Sequence, residues 1–440
     1  MRTTITAALL SGTLLLAGCD LDRENPNAPT QEATFSSADG IIALAVGLQN
    51  RLGSQQGSLI YAAGLVTDEL AAVSAALVTI SDAEGGVVTP GANLVGDMWG
   101  NGYRTIKTAN DIIANVGNVS PIDPGTASGI LALAYFGKAA ALGDLLMTFE
   151  QVSLDSYESE TPTFVGRDQA LPEILSLLDL AEATLTAEPP STQFNTTILA
   201  RGFSLVNSIF AYRARYQRLA GNDAEAVAAA DLVDRTVFSV LPYSELQRNP
   251  VNLFSTGSSG VAPRDAFRLA GLAEGETSRL TFHVTDAPTA GRIGPVDAYA
   301  RYGVPSASVP VYYPDEVLLI KAEALANMDQ LAHAQAVLDS VRTDCPGLVP
   351  NDPNACLPAL PGPLTKAELI AEIYENRRFE LFATGLRWED LRRLGLVGAD
   401  SEAKRCWLPY PVSERNANPV NVPVDPEGVA PPPSPAQCFP

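Results

Sequence analysis

The chain has few of the groups that metal-dependent or histidine-based catalysis requires. Its 440 residues include two histidines, His283 and His333, and five cysteines, and none of them has the C-x₂₋₄-C or H-E-x-x-H spacing of a zinc site. The G-x-S-x-G nucleophile motif and the Walker phosphate loop are also absent. We therefore predict no metal site, no cofactor and no enzymatic activity.

Positive charge is also scarce. Lys and Arg number 29 against 50 Asp and Glu, which gives a formal net charge of −21. Such a surface repels phosphate backbones and anionic lipid headgroups, so we do not expect nucleic-acid binding or polybasic membrane docking. With 46% hydrophobic and only 18% charged residues, the chain has the composition of a folded protein with a substantial core.

The N-terminus has the pattern of an export signal. The apolar run from Ile5 to Ala17 is too short to span a bilayer but suits the core of a signal peptide, which we place at residues 1–18. Leu16-Ala17-Gly18-Cys19 resembles a bacterial lipobox, which implies cleavage before Cys19 and lipid attachment to its thiol; ordinary secretory cleavage with a free thiol is the alternative. The polar, proline-containing residues 19–35 would form a tether. No later run reaches about 18 uninterrupted apolar residues, so we expect the remainder to lie outside the bilayer.

Four cysteines remain after Cys19. An even set in an exported chain indicates two disulfides, with three possible connectivities. We favour the two local pairs. Cys345 and Cys356 flank a turn-rich stretch, and Cys406 with Cys438 would tie down the proline-rich tail at 409–440, which we do not expect to be helical.

Apolar residues at three-to-four spacing dominate the mature chain, so the fold class is predicted to be mainly α. A loop-rich, irregular insertion with short strands is expected at about 241–310, where this period disappears among Gly, Pro and Ser. The predicted helices are 97–119, 130–149, 170–185, 199–220, 224–237, 315–328, 330–341 and 366–393.

A short internal sequence repeat suggests repeated helical hairpins. The stretch LAGNDAEA at 219–226 corresponds to LANMDQLA at 325–332, and small residues follow each at similar positions. Tetratricopeptide-type repeats have this pattern and stack into a solenoid, so residues 36–440 are predicted to form a single domain of that type. Chance similarity between alanine-rich helices is the alternative.

The most specific segment lies near the C-terminus. A capping box at 365–368 opens a helix that leads into NRRFELFATGLRWEDLRR at 376–393. This segment resembles the signature of the SusD/RagB lipoproteins, and further stretches resemble the family in the same order: W-x₃-Y-x₂-I-x₃-N at 99–110, DEVLLIKAEAL at 315–325 and LPYPVSE at 408–414. Asn376 and Thr384 replace two family glutamates. The intra-segment pairs Arg377/Glu380, Arg387/Asp390 and Glu389/Arg393 are predicted to form a modest surface network.

The resemblance implies a location and a function. SusD-like proteins are lipid-anchored at the cell outer membrane, facing the exterior. They bind a nutrient, an oligosaccharide or a peptide, and deliver it to a TonB-dependent SusC-like β-barrel. Members bind without chemistry, and their ligand residues lie in variable loops.

Ligand residues must therefore be sought among exposed aromatic and polar side chains. The insertion and its C-terminal edge supply our candidates, Tyr299, Tyr302, Tyr312, Tyr313 and Arg292. The alternative is that these tyrosines pack the insertion onto the helices. Two other functions stay open: a lipid-anchored glycoside hydrolase using a carboxylate pair, which leaves no sequence motif, and a purely structural helical-repeat scaffold.

Overall fold

Helices supply most of the regular structure in this computed structural model. It describes residues 30–73, 76–256, 260–265, 276–292, 294–345 and 352–439, without the side chains of 286–289. The predicted signal peptide, Cys19 and the tether as far as residue 29 lie outside the described residues. The helices are α1 (Gln31–Phe35), α2 (Ala38–Leu65), α3 (Val78–Glu84), α4 (Asn93–Asn115), α5 (Pro124–Leu146), α6 (Arg167–Ala187), α7 (Leu205–Leu219), α8 (Asp223–Ala230), α9 (Pro250–Thr256), α10 (Thr277–His283), α11 (Pro314–Asn327), α12 (Leu331–Arg342), α13 (Lys366–Glu380), α14 (Arg387–Arg393) and α15 (Val412–Ala417).

The strands of the described residues are short and lie mostly in the insertion. They form three two-stranded antiparallel sheets, which pair β1 with β3, β2 with β6 and β4 with β5. The strands are β1 (Leu70–Ala72), β2 (Val240–Leu241), β3 (Val261–Pro263), β4 (Val284–Ala290), β5 (Pro295–Tyr299) and β6 (Val309–Pro310). An irregular insertion with short strands is therefore confirmed.

Helix α2 forms the centre of the N-terminal half, although no pattern in the sequence led us to predict it. Its second half is almost entirely buried, against α4 and α5 among others. Glycines in this helix permit the close packing. A Cβ on Gly57 would lie 2.4 Å from Pro250, and one on Gly64 would lie 2.4 Å from Leu70.

Both copies of the internal sequence repeat lie in helical hairpins. Helices α7 and α8 pack together across a turn at Gly221, and α11 and α12 pack across a turn at Asp329; both turn residues have positive φ, 77° and 59°. Helix α11 also packs on α7, α8 and α13, so the hairpins stack. This confirms the prediction of a mainly α fold with repeat-like hairpins.

Helix α5 is the one described helix that is long and apolar enough to cross a membrane. Its most apolar 18-residue window is 83% buried inside the protein, where it packs against α2, α4 and α6. Burial on all sides explains the apolar composition, as expected of a core helix.

The predicted helix 224–237 ends at Ala230, and 199–220 begins only at Leu205. Two predictions for the C-terminal part also need correction. The predicted helix 366–393 is interrupted between α13 and α14, where Ala383 and Gly385 have φ of 54° and 86°. The left-handed conformation cannot continue a helix. The proline-rich tail, expected to have no helix, contains the short α15, which follows Pro411 and so avoids proline within its turns.

Both favoured disulfides are confirmed. Cys345 bonds to Cys356 and Cys406 bonds to Cys438, with Cα–Cα distances of 4.8 and 5.2 Å. The second one fixes the end of the tail: Phe439 then packs against Trp407, with their ring centroids 5.9 Å apart.

The prediction of a surface network in the C-terminal signature is wrong, because these charges are buried and pair with other segments. Arg377 Nε lies 2.7 Å from Asp390 across the break between α13 and α14. Arg387 pairs with Asp68 at 3.1 Å. Arg218 of α7 reaches Glu323 of α11 at 2.7 Å, with both side chains 2% exposed. The ion pairs of Arg387 and Arg218 join elements that are far apart in sequence.

Glu389 is the most strongly paired carboxylate of this set. Arg167 donates two hydrogen bonds to it, at 2.6 and 2.9 Å, and Arg392 donates a third at 2.5 Å. Burial alone would raise the pKa of Glu389, but the two guanidinium groups outweigh it and hold the pKa at about 2. The signature thus provides interior electrostatic contacts between α6 and α14.

We predict that Arg218→Met destabilises the fold far more than Lys366→Met does. Removing Arg218 leaves part of the charge of Glu323 and Asp390 buried without compensation, which costs on the order of 3 kcal/mol. Lys366 pairs with Asp329, whose side chain is 77% exposed, so its loss should cost about 1 kcal/mol or less. Urea denaturation of both variants measures the difference, and equal midpoints would contradict the role given to the buried pair.

Glu69 leads to a prediction of pH dependence. Burial, helped by Asp68, raises the pKa of Glu69 from 4.5 to about 8. Between these values the folded chain holds a proton that the unfolded chain releases, so stability falls as the pH rises through this window. Glu69→Gln should remove that loss and be more stable than the wild type at pH 8, by on the order of 2 kcal/mol.

The measurement is thermal or urea unfolding of the Glu69→Gln variant between pH 5 and pH 9. Glu225→Gln, at an exposed position of α8, is the control and should follow the wild type at every pH. A constant difference between Glu69→Gln and the wild type across this range would show that Glu69 does not titrate as we expect.

Candidate functional site

The four candidate tyrosines lie in the core. Tyr299, Tyr302, Tyr312 and Tyr313 are 7%, 1%, 2% and 0% exposed. The rings of Tyr299 and Tyr302 contact each other with centroids 5.5 Å apart, and Tyr313 stacks on Phe238 at 5.6 Å. In this conformation none of the four presents a ring face to a ligand. They pack the insertion onto the helices, which is the alternative that the sequence left open.

Arg292, the fifth candidate, is exposed and has a structural contact. Its guanidinium donates a hydrogen bond to Ser81 Oγ of α3, and its backbone N–H donates to the carbonyl of Ala72 at 3.0 Å. Arg292 therefore joins the β4–β5 hairpin to α3, beside a surface cleft described below.

Tyr157 is the aromatic side chain that the described part of the chain exposes most, at 44%. It lies in the loop 153–164, which is closed at its base by two backbone hydrogen bonds between Val152 and Val165, at 2.8 and 3.0 Å. Inside the loop Asp155 Oδ1 accepts hydrogen bonds from Ser153 Oγ at 2.9 Å and Thr163 N at 3.2 Å. Ser153 N donates a hydrogen bond to the hydroxyl oxygen of Tyr103 in α4 at 2.7 Å, which holds the loop against α4, and the ring of Tyr157 lies at the surface.

Two cavities of about 390 and 320 Å³ meet at Tyr157, and we call them together the Tyr157 groove. The larger cavity runs between α4 and α5, and the smaller one lies between α4, the loop and the C-terminal segment. Side chains of both charge signs, amides and hydroxyls line the groove: Arg104, Lys107, Asn110, Asp111, Lys138, Ser156, Glu158, Ser159, Glu160 and Glu414.

The electrostatics of the groove suit a neutral, polar ligand. Lys107 Nζ forms an ion pair with Asp111 at 2.5 Å and lies 6.0 Å from the ring centroid of Tyr157. Burial raises the pKa of Tyr157, so its hydroxyl stays protonated and can both donate and accept a hydrogen bond. An exposed ring with donors and acceptors on both sides can stack on the apolar face of a sugar and bind its hydroxyls.

A second cleft, which we call the aromatic cleft, lies at the N-terminal end of α4. The rings of Tyr61 and Phe254 stack in it with centroids 4.5 Å apart. Its volume is only about 80 Å³, and its polar side chains include Asn93 and Asp97. Three exposed apolar side chains lie in or next to its lining: Leu77, Val78 and Leu253, at 54%, 64% and 46%.

The sequence alone did not indicate either cleft. Tyr157 stands in a short polar stretch without periodicity, and its exposure depends on where the C-terminal segment packs. Asn418 Nδ2 donates a hydrogen bond to the carbonyl of Pro162 at 2.8 Å, and Asn421 Nδ2 donates to that of Thr161 at 2.9 Å. The predicted helix 97–119 does border the groove, but its most prominent aromatic residue, Trp99, is 5% exposed and belongs to the core.

Comparisons with known proteins agree with this architecture. The family model of the SusD family matches residues 297–422, which run from β5 past α15. No curated protein sequence matches the chain.

Solved structures with the same fold are numerous. A SusD superfamily protein from Bacteroides thetaiotaomicron VPI-5482 is 14% identical, with a TM-score of 0.67 over 89% of this chain and 100% of that chain. One from Bacteroides vulgatus ATCC 8482 is 15% identical, with a TM-score of 0.66 over 89% and 99%. A SusD-like carbohydrate binding protein from the same organism is 14% identical, with a TM-score of 0.62 over 81% and 83%. The C-terminal part of this chain therefore matches the SusD family model, and its described residues have the fold of these SusD superfamily structures.

Proposed function

We propose that this protein is a lipid-anchored nutrient-binding protein of the outer membrane that captures oligosaccharides in the Tyr157 groove. The observation that carries the proposal is the exposed ring of Tyr157 between two polar cavities of about 390 and 320 Å³. Family membership supports the binding role, and one structural neighbour is itself described as a SusD-like carbohydrate binding protein.

The shape of the groove favours an extended ligand. Because the cavities lie on two sides of Tyr157, a chain of several sugar units could cross the ring and leave polar contacts for the units on either side. Side chains of both signs line the groove, so a neutral glycan meets both hydrogen-bond donors and acceptors there. A peptide remains the alternative ligand.

Delivery to a TonB-dependent SusC-like barrel completes the proposal. If Cys19 carries the lipid, residues 20–30 can place the folded body at most about 40 Å from the anchor when fully extended. That reach keeps the body beside the membrane, where a barrel is embedded. The proposed location is the outer face of the outer membrane, and the proposed role involves binding without turnover.

We predict that Tyr157→Ala lowers affinity for the bound oligosaccharide about tenfold, because the stacking face is lost. Tyr157→Phe keeps the ring and should stay within about threefold of the wild type. Leu253→Ala, at the rim of the aromatic cleft, is the matched control. A panel of neutral oligosaccharides identifies the binder, and isothermal titration of each variant gives the affinities.

The same titrations identify the other outcomes. If Leu253→Ala or Leu77→Ala weakens binding while Tyr157→Ala does not, the ligand lies in the aromatic cleft and the Tyr157 groove is excluded. If the protein bound peptides but no oligosaccharide, the proposal of a glycan ligand would be wrong. Cleavage of the oligosaccharide during incubation would support a hydrolase.

We also expect a barrel protein to co-purify with this lipoprotein. The native outer membrane is solubilised gently, the tagged protein is isolated, and its companions are identified by mass spectrometry. Stoichiometric recovery of a TonB-dependent transporter is the expected result. Recovery of the protein alone, together with unchanged glycan binding, would refute delivery while the binding role stands. If neither a transporter co-purifies nor any glycan binds, a purely structural scaffold is favoured.

A further inference from the structure

A third pocket lies against α2, and its lining carries no charged side chain. It has a volume of about 160 Å³, and its polar side chains are those of Gln49, Asn50, Tyr243 and Gln247. We call it the amide pocket, because three of these four side chains are amides. Small-molecule sites usually enclose about 300–1,000 Å³, so the amide pocket suits a single sugar unit better than a whole oligosaccharide.

The walls of the amide pocket are held in place by the protein itself. Gln49 Nε2 donates to the carbonyl of Ile198 at 3.0 Å, and Gln49 Oε1 accepts from Ala200 N at 2.7 Å, which joins α2 to the segment before α7. Tyr243 packs against α2 at Gly53, where a Cβ would lie 2.2 Å from the tyrosine hydroxyl oxygen. These contacts form the pocket without a ligand, which limits the entropy lost on binding.

Two amide side chains at the rim keep unused hydrogen-bonding groups. Gln247 Nε2 donates to Asn50 Oδ1 at 2.6 Å, and this bond ties the turn at 244–247 to α2. Both side chains are exposed, and within the part of the chain that the structure describes neither Asn50 Nδ2 nor Gln247 Oε1 has a protein partner. The rim therefore presents a free donor and a free acceptor from two bonded amides, and neighbouring hydroxyls of a sugar can bind both.

The rest of the lining is apolar and neutral. Leu241, Pro242 and Ala200 contribute aliphatic groups, and Tyr243 contributes an aromatic ring. Burial raises the pKa of the Tyr243 hydroxyl, so this group stays uncharged at physiological pH. Apolar carbons next to amides suit the C–H groups and hydroxyls of a neutral sugar, whereas an ion would meet no opposite charge in the lining.

The exposed edge of α2 lies between the amide pocket and the Tyr157 groove. Asn50, at the rim of the pocket, is followed directly by Arg51, whose guanidinium is close enough to Tyr157 to oppose the rise in pKa that burial causes there. The same edge includes the exposed Ser54 and also Gly47, where a Cβ would meet nothing within 4 Å, so the surface is open at this position. A ligand that reaches both sites has to cross the width of one helix, about 10–12 Å.

We infer that the amide pocket binds one neutral sugar unit of the same oligosaccharide that stacks on Tyr157, and that the protein therefore prefers longer glycans. This inference rests on the proposed function of the Tyr157 groove and adds a subsite on the other side of α2. A chain too short to cross α2 contacts the groove alone. A longer chain gains the hydrogen bonds of Asn50 and Gln247 as well.

The test is isothermal titration of the full mature protein with neutral homo-oligosaccharides of the panel, from the disaccharide to the octasaccharide. Wild-type affinity should rise at the first chain length that reaches the amide pocket. Asn50→Ala and Gln247→Ala should each lower affinity about fivefold for that length and longer ones, and should leave shorter chains unchanged. Tyr157→Ala should weaken binding at every length.

Gln217→Ala is the matched control. Asn222 Nδ2 donates to Gln217 Oε1 at 2.7 Å, so this variant breaks an exposed amide pair of the same kind near the end of α7, where it lines none of the cavities described above. It should bind every chain as the wild type does. Melting temperatures equal to that of the wild type would show that each variant keeps the fold.

The inference and the proposed function fail in different ways. If Tyr157→Ala weakens binding but Asn50→Ala and Gln247→Ala change it at no length, the groove stands and the subsite is wrong. An equal loss for short and long chains in these two variants would also overturn the subsite. If Tyr157→Ala has no effect on any chain, or if no oligosaccharide binds, the proposed function itself is wrong and the inference falls with it.

Discussion

Buried ion pairs between distant helices are the constraint on which the rest of this structure depends. Arg215 of α7 bonds to Glu316 of α11 at 2.6 Å, and Arg167 of α6 bonds to Glu389 of α14 at 2.6 Å. A buried charge that loses its partner costs several kcal/mol. Each pair therefore penalises any shift of one helix along another, and the set of pairs fixes how the hairpins and the C-terminal segment stack. The loops that line the proposed binding groove connect the helices that these ion pairs hold in place.

The sequence predicted the parts of the fold that depend on local patterns. The hairpin turns at Gly221 and Asp329, the capping box at Thr365 and the two local disulfides could all be inferred from neighbouring residues. Helix α2 was not predicted because its glycines lower helix propensity. These glycines are required by tertiary packing, since Pro250 and Leu70 occupy the space that larger side chains at Gly57 and Gly64 would need. The break at Ala383 depends likewise on its surroundings, since its N–H donates to the buried Glu69.

The binding surface was harder to predict than the fold. The candidate tyrosines were chosen for their chemistry, but sequence does not show which side of an irregular segment faces the core. Exposure of Tyr157 results from contacts between residues about 260 positions apart, such as that of Asn418 with Pro162. Since the 153–164 loop is bonded at its base and, through Thr161 and Pro162, to the C-terminal segment, the groove is largely preformed, which limits the entropy lost on binding.

The packing of α2 against the last quarter of the chain has a consequence for folding. Gln56 Nε2 donates to the carbonyl of Thr384 at 2.9 Å, and Lys404 N donates to that of Val66 at 2.7 Å. Such contacts form only when nearly the whole polypeptide has been synthesised. Until then, the buried second half of α2 lacks its C-terminal partners and its apolar side chains are exposed to solvent. An early translational stop or a C-terminal deletion would release a chain with an open core, which makes such fragments substrates for proteolysis.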